Sequence, residues 1–210
     1  MKHSKDIFLM GLLLCGSSTL AHAQSPWMVR LRAIDVIPQA SSNQINIVGG
    51  QVNEMSTEVV PELDVNYFFT KNVAAELILG TMRHSVAANS TVLGHVDLGR
   101  ASLLPPTVTL QYHFVPDAMF SPYIGAGLNY TYFYNISNGP LSTSTSYGSS
   151  FGPALQAGVD LNLNPHWSLN LDVKKIFIQT NASVNTPVGQ LNPTVKLNPF
   201  IIGLGVGYKI

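Results

Sequence analysis

Large apolar residues alternate with small or polar ones along much of this chain. The pattern is plainest over the last eleven positions, where Phe200, Ile202, Leu204, Val206, Tyr208 and Ile210 are interleaved with residues that include Gly203, Gly205, Gly207 and Lys209. Successive strand residues face opposite sides, so this segment has one continuous apolar face and one face too small to fill a soluble core. Bulk turned outward is what a strand needs when its surroundings are lipid.

The same period-two reading predicts strands over residues 27–37, 57–69, 73–84, 100–114, 122–136, 151–163, 167–180 and 196–210. Their connections alternate in length: 38–56, 85–99, 137–150 and 181–195 are long, and 70–72, 115–121 and 164–166 are short. An even number of strands with long loops on one side and tight turns on the other predicts an all-β fold, an eight-stranded antiparallel transmembrane β-barrel in an up-and-down meander. The turns would face the periplasm. Trp27, Tyr67, Phe68, Phe69, Tyr112, Phe114, Tyr123, Trp167 and Tyr208 fall near the turn side, and Tyr132, Phe133 and Tyr134 near the loop side, as two interfacial girdles.

The start of the chain supplies an address. Lys2 and Lys5 precede an apolar run from Ile7 to Leu20, and Ala21-His22-Ala23 has the small-x-small form of a signal-peptidase site. Residues 1–23 therefore read as a signal peptide cleaved after Ala23, and residues 24–210 as the barrel domain of a multi-pass protein of the bacterial outer membrane. The single cysteine, Cys15, lies in the leader, so disulfides play no part in the mature fold. Eleven basic and eleven acidic residues give a formal net charge of zero, which argues against nucleic acid as a partner. The remaining expected partners are outer-membrane lipid and lipopolysaccharide, the outer-membrane assembly machinery and small hydrophobic ligands.

Several separated motifs in order carry a resemblance to a known family. They are Arg32-Ala33 with Val36-Ile37-Pro38, Leu104-Pro-Pro-Thr-Val108 with Gln111-Tyr-His-Phe114, Pro122-Tyr-Ile-Gly-Ala-Gly-Leu-Asn-Tyr130, Gln156-Ala-Gly-Val-Asp160, and Leu197-Asn-Pro-Phe200 before Gly207-Tyr208. Along the whole mature length the chain resembles the OmpW family of small outer-membrane barrels, including its alkane-uptake branch, AlkL. The family commonly ends in an aromatic residue that the assembly machinery reads, whereas this chain ends in Ile210.

With the apolar set turned to lipid, the inward set near the turns contains Arg30, Arg32, Asp64, Asn66, Glu76, Gln111, His113, Asp160, Asn162, Asn170, Asp172 and Lys174. An eight-stranded barrel is only wide enough for its side chains to fill, so these charges must neutralise one another. They read as a polar plug across the periplasmic half, and would serve equally as an ordinary barrel core. Higher on the same face stand Ile34, Val36, Ile78, Phe133, Ile176, Ile178 and Ile201, interrupted by Glu62, Thr107, Thr109, Asn129, Thr131 and Gln156. An apolar funnel above a charged floor suits a hydrophobic molecule that enters from outside and cannot continue straight down.

Pro105 and Pro106 remove two successive ladder donors from one strand, which predicts either a gap in the wall or a simple bulge. The family resemblance implies the gap, as a lateral exit for apolar substrates into the bilayer. Family members also pinch the lumen with an aliphatic and an aromatic residue. Ile78 matches the first, and Lys174 stands where the second would be.

No acid and base pair, activated nucleophile or spaced metal-ligand set emerges. His84-Ser85 with His95 and Asp97 fit no motif, so neither catalysis nor a cofactor or metal is expected. The reading is a passive conduit for small hydrophobic molecules. The alternative is a non-transporting surface protein whose extracellular loops act as a receptor or adhesion site.

Overall fold

The structure, a computed structural model, describes residues 25–43, 51–91, 94–138, 144–186 and 189–210. The leader therefore lies outside the described residues. Eight strands form the wall: β1 Trp27–Ile37, β2 Glu58–Phe68, β3 Val73–Gly80, β4 Thr107–His113, β5 Phe120–Asn138, β6 Ser150–Asn162, β7 Trp167–Ile176 and β8 Phe200–Lys209. Each pairs antiparallel with its chain neighbours, and β8 returns to β1 from Met28↔Lys209 to Ile37↔Phe200, closing the cylinder.

Closure fixes which side each residue faces. On β1, Arg30, Arg32, Ile34 and Val36 are buried while Leu31 is 61% exposed, and on β8 Ile201 is buried while Leu204 is 64% exposed. The exposed row of Leu31, Leu110, Ile124, Leu155, Leu171 and Leu204 is the lipid-facing surface of the cylinder. Edge-to-face pairs Trp27–Tyr67 and Trp167–Tyr208, with centroids 4.9 and 4.8 Å apart, ring the turn end. Tyr130 and Tyr132 lie outward toward the other end.

The wall does not stop at the predicted loops. Met82–Thr91 pairs with Gly94–Leu104, which continues onto the upper part of β5, and Gln51–Met55 joins the other edge. On the far side Ser144–Tyr147, Gln179–Thr186, Thr194–Lys196 and Ser41–Ser42 form a second raised sheet. Residues 85–99 and 181–195, read from sequence as loops, are therefore largely strand. Above the bilayer the outward face no longer has to be apolar: Arg83, Ser85 and Arg100 point out, while His84 and Ala101 stay inside. Strand periodicity persists there, but the lipid signature that marks it lower down is gone.

The ladder breaks beside the proline pair. The β3–β4 pairs run from Val73↔Tyr112 to Ile78↔Thr107, and the wall resumes at Met82↔Leu103. Between them Leu79, Gly80 and Thr81 face Leu104, Pro105 and Pro106 without a backbone pair, as the missing proline donors require. The other flank stays sealed, because Tyr130 N donates to the Pro106 carbonyl at 3.0 Å and Asn129 Nδ2 to that of Pro105 at 3.2 Å. The break is thus one-sided, between β3 and β4. Just outside it the hydroxyls of Thr81 and Tyr134 hydrogen-bond to each other.

Candidate functional site: a stratified lumen

Two arginines on β1 organise the lower lumen. Arg30 donates from Nη1 to Asn66 Oδ1 at 3.0 Å and Glu76 Oε1 at 2.9 Å, and from Nη2 to Asp160 Oδ2 at 2.6 Å. Arg32 donates from Nε to Asn170 Oδ1 at 2.7 Å, and from Nη1 and Nη2 to Glu62 and Glu76, both at 3.1 Å. Its Nη1 also lies 2.7 Å from Asp64 Oδ2 without the alignment of a hydrogen bond, so that contact is electrostatic rather than directional. Lys174 Nζ sits 3.0 Å from Asp172 Oδ1 and 2.5 Å from Glu62 Oε1. Amides and a phenol fill part of the remaining valences, while Arg30 Nε and both Asp64 carboxylate oxygens have no hydrogen-bond partner. Gln111 and Gln156 donate to Glu76 Oε2 at 2.7 and 2.8 Å, and Tyr123 donates to Asp172 Oδ2 at 2.7 Å. His113 closes the lower edge, with Nε2 3.2 Å from Gln111 Oε1 and its ring stacked 4.9 Å from that of Tyr123.

Every charged member of this layer is no more than 3% exposed. Charges so far from water are tolerated where opposite charges lie directly beside them. The layer is therefore a disc spanning the cylinder, in which Arg30, Arg32 and Lys174 are set among the five carboxyl groups of Glu62, Asp64, Glu76, Asp160 and Asp172. Its long side chains fit because facing positions are glycines. A Cβ at Gly205 would lie 2.7 Å from Arg32 Cγ, and one at Gly158 2.5 Å from the Tyr123 ring.

Above the disc the lining changes character. Ile34, Val36, Phe133, Ile176 and Ile178 join Met82, Leu103, Val184, Val195 and Ile201 in one apolar cluster, each no more than 7% exposed. Side chains from opposite walls meet, so this tier is packed shut. A funnel was expected, and an eight-stranded cylinder is too narrow to stay hollow between isoleucines. Ile78 is not in this cluster. It pairs across the wall with Asp64 and Thr107 and belongs to the polar level, so the aliphatic position assigned to the funnel lies beside the disc.

Three disc members were placed elsewhere by sequence. Glu62 and Gln156 were read as interruptions of the apolar tier. Tyr123 was read as an interfacial aromatic, yet it is 1% exposed at the centre of the disc. Its parity with Asn129 and Thr131, read correctly as inward, is the signal that would have found it. Asn162 goes the other way: its amide donates to the Ala118 carbonyl at 2.7 Å and ties down a turn. The residues Arg30, Arg32, Asp64, Glu76, His113, Asp160, Asp172 and Lys174 all lie in the disc. Pro105 and Pro106 flank the ladder break at the height where the disc gives way to the apolar tier. Among the described residues no group of three His, Cys, Asp or Glu side chains is arranged to hold a metal ion.

The sequence profile of the OmpW family matches residues 24–210. The chain is 44% identical over 191 residues to outer-membrane protein y4mB of Sinorhizobium fredii, covering 90% of this chain and 82% of that one. It is 30% identical over 204 residues to outer membrane protein W of Vibrio cholerae, covering 93% and 94%. The dibenzothiophene metabolism operon protein PahQ of Pseudomonas aeruginosa is 25% identical, with 97% of each chain covered. The crystal structure of OprG from Pseudomonas aeruginosa superposes with a TM-score of 0.80 at 26% identity, over 89% of this chain and 97% of that one.

Proposed function

The chain belongs to the OmpW family of outer-membrane β-barrels, and from that premise we propose that it passes small hydrophobic molecules from outside the cell through its upper lumen and sideways into the bilayer. The observation that carries this reading is the stacking of an apolar tier directly on a charged disc. A hydrophobic solute that parts Ile34, Phe133, Ile176 and Ile178 meets no aqueous route below, only desolvated ion pairs whose disruption costs several kcal/mol. The unpaired stretch between Leu79–Thr81 and Leu104–Pro106 lies at that same height and supports an exit toward lipid there. Exit there leaves the solute in a medium it prefers, so no energy source is needed. A relative that carries the name of a dibenzothiophene metabolism operon fits an apolar aromatic cargo.

The test is uptake of a labelled alkane and of dibenzothiophene by cells lacking the protein, complemented with wild type, Ile176→Asp, or Pro105→Val with Pro106→Val. Wild type is expected to restore uptake. The aspartate should abolish it by placing a charge in the apolar tier, and the valine pair should reduce it by restoring the ladder. Equal uptake in all strains, with each barrel present in the outer membrane, would discard the conduit. The strand-built rim, which holds Arg83 and Arg100 outward, supports a second reading as a surface receptor.

A further inference from the structure

Beneath the disc, on the side away from the proposed conduit, the cylinder ends in a cavity of about 410 Å³. It is bounded by the β4–β5 turn at Pro116–Met119, the β6–β7 turn at Asn164–His166, and the ends of β1, β7 and β8. Its volume falls within the range of small-molecule sites. Its wall divides in two. Met28, Met119, Pro165 and Trp167 make an apolar side, and Lys209 and Ser168 bring an ammonium and a hydroxyl.

Two of those polar groups have nothing to bind. Ser168 is 2% exposed, and its Oγ has no hydrogen-bond partner. It faces Gly207 across the β7–β8 ladder, where a Cβ would come within 2.6 Å of both that oxygen and the Met28 methyl, so Met28 covers the hydroxyl and is the side chain that must shift to admit a ligand. A buried hydroxyl left unsatisfied is destabilising, and a ligand group that bonds to it relieves that cost. Lys209 reaches over the Phe68 ring at 5.0 Å, and no carboxylate lies within ion-pair distance of it among the described residues. The two acids whose charge acts on it are already held: Asp160 by Arg30 at 2.6 Å, and Asp117 by Lys71 at 2.8 Å. The ammonium is left as the unmatched charge of the cavity.

We propose that this periplasmic mouth is a binding site for a small carboxylate with an apolar body, the carboxylate taken by Lys209 Nζ and Ser168 Oγ and the body laid against Met28, Met119 and Pro165, with Trp167 at its edge. The disc closes the cavity from above, so the ligand comes and goes on the periplasmic side. The inference stands apart from the conduit, whose tier and wall break lie beyond the disc, and either can fail without the other.

The experiment uses the full barrel in lipid nanodiscs with Trp27→Phe, which leaves Trp167 as the only tryptophan of the chain. Hexanoate is titrated against Trp167 fluorescence, with hexanamide as the isosteric neutral probe. Saturable quenching by hexanoate and none by hexanamide is expected. Lys209→Met should weaken binding at least tenfold, as loss of a charge-assisted contact does, and Ser168→Ala about threefold. An equal response to the amide and the acid, or hexanoate binding unchanged in Lys209→Met, would overturn the site. The comparison of the two probes needs no substitution within the cavity itself, and only the Trp27→Phe barrel has to fold for it.

Discussion

Arg32 offers the most direct test of whether the disc holds the barrel together. Arg32→Met keeps much of the side-chain length and apolar stem but removes every donor, and so strips contacts to Glu62, Asp64, Glu76 and Asn170 in one step. The residue is 1% exposed and its acidic partners no more than 3%, so water cannot step in for it. Removing one partner of a buried ionic network costs about 3–5 kcal/mol, because the carboxylates left behind lose compensation they cannot regain. That lowers the folding equilibrium constant by roughly two to three and a half powers of ten. Denaturant unfolding in lipid vesicles, followed by tryptophan fluorescence, measures it directly. Lys71→Met serves as the control, since its pair with Asp117 is 75% exposed on both sides and should shift nothing measurable. A loss below about 1 kcal/mol for Arg32→Met, the range of an exposed pair, would refute the view that the disc is a dry network in which each charge depends on the rest.

Gly205→Ala should sharply reduce the yield of folded barrel, because its Cβ would sit 2.2 Å from the Leu31 carbonyl oxygen, while Gly80→Ala, whose nearest neighbour is 3.8 Å away, should fold normally; electrophoretic mobility of unheated samples reports both. Tyr134→Phe removes the hydroxyl bonded to Thr81 above the ladder break, and should quicken uptake of an apolar solute while leaving denaturant stability nearly unchanged. Burial holds the His84 imidazole below its ordinary pKa of 6.5, against the pull of its bond to the Ser56 carbonyl at 2.7 Å. The unfolded chain therefore takes up that proton first, so rim stability should fall as pH drops below 6.5. Amide protection factors across 82–91 and 94–104, referenced to the intrinsic exchange rate at each pH, should fall in that window, and His84→Asn should flatten the response.

Much of this layout is legible in sequence because a closed sheet admits only two directions for a side chain. Once the apolar row on β8 is assigned to lipid, Arg30, Asp64, Glu76, Asp160 and Asp172 have nowhere to go but inward. Height is harder. Ile78 counts as a funnel residue when positions are measured from the nearest turn, yet the stagger between tilted strands sets it level with Asp64 and Thr107. The same stagger lowers Glu62 and Gln156 into the disc, where they meet Lys174 and Glu76. Tyr123 was obscured by a competing rule, that aromatics near strand ends sit at the interface. The rim strands were obscured because their alternation separates polar from small rather than apolar from polar, and only the second kind announces a membrane.

The disc also constrains the order in which this protein can be built. Arg30 and Arg32 stand on the first strand, and their partners come from β2, β3, β5, β6 and β7. Arg32 reaches Asn170 across β8, passing over Gly205, which pairs with both residues at once. Until the last strand meets the first, that span does not exist, and the arginines and carboxylates remain hydrated on an open sheet. Desolvation and pairing must then come together at the seam. The ionic layer is accordingly a late checkpoint: a chain that inserts with a misaligned seam has its charges offset by a residue or more and finds no substitute partners, whereas a correctly aligned one closes in a single cooperative step.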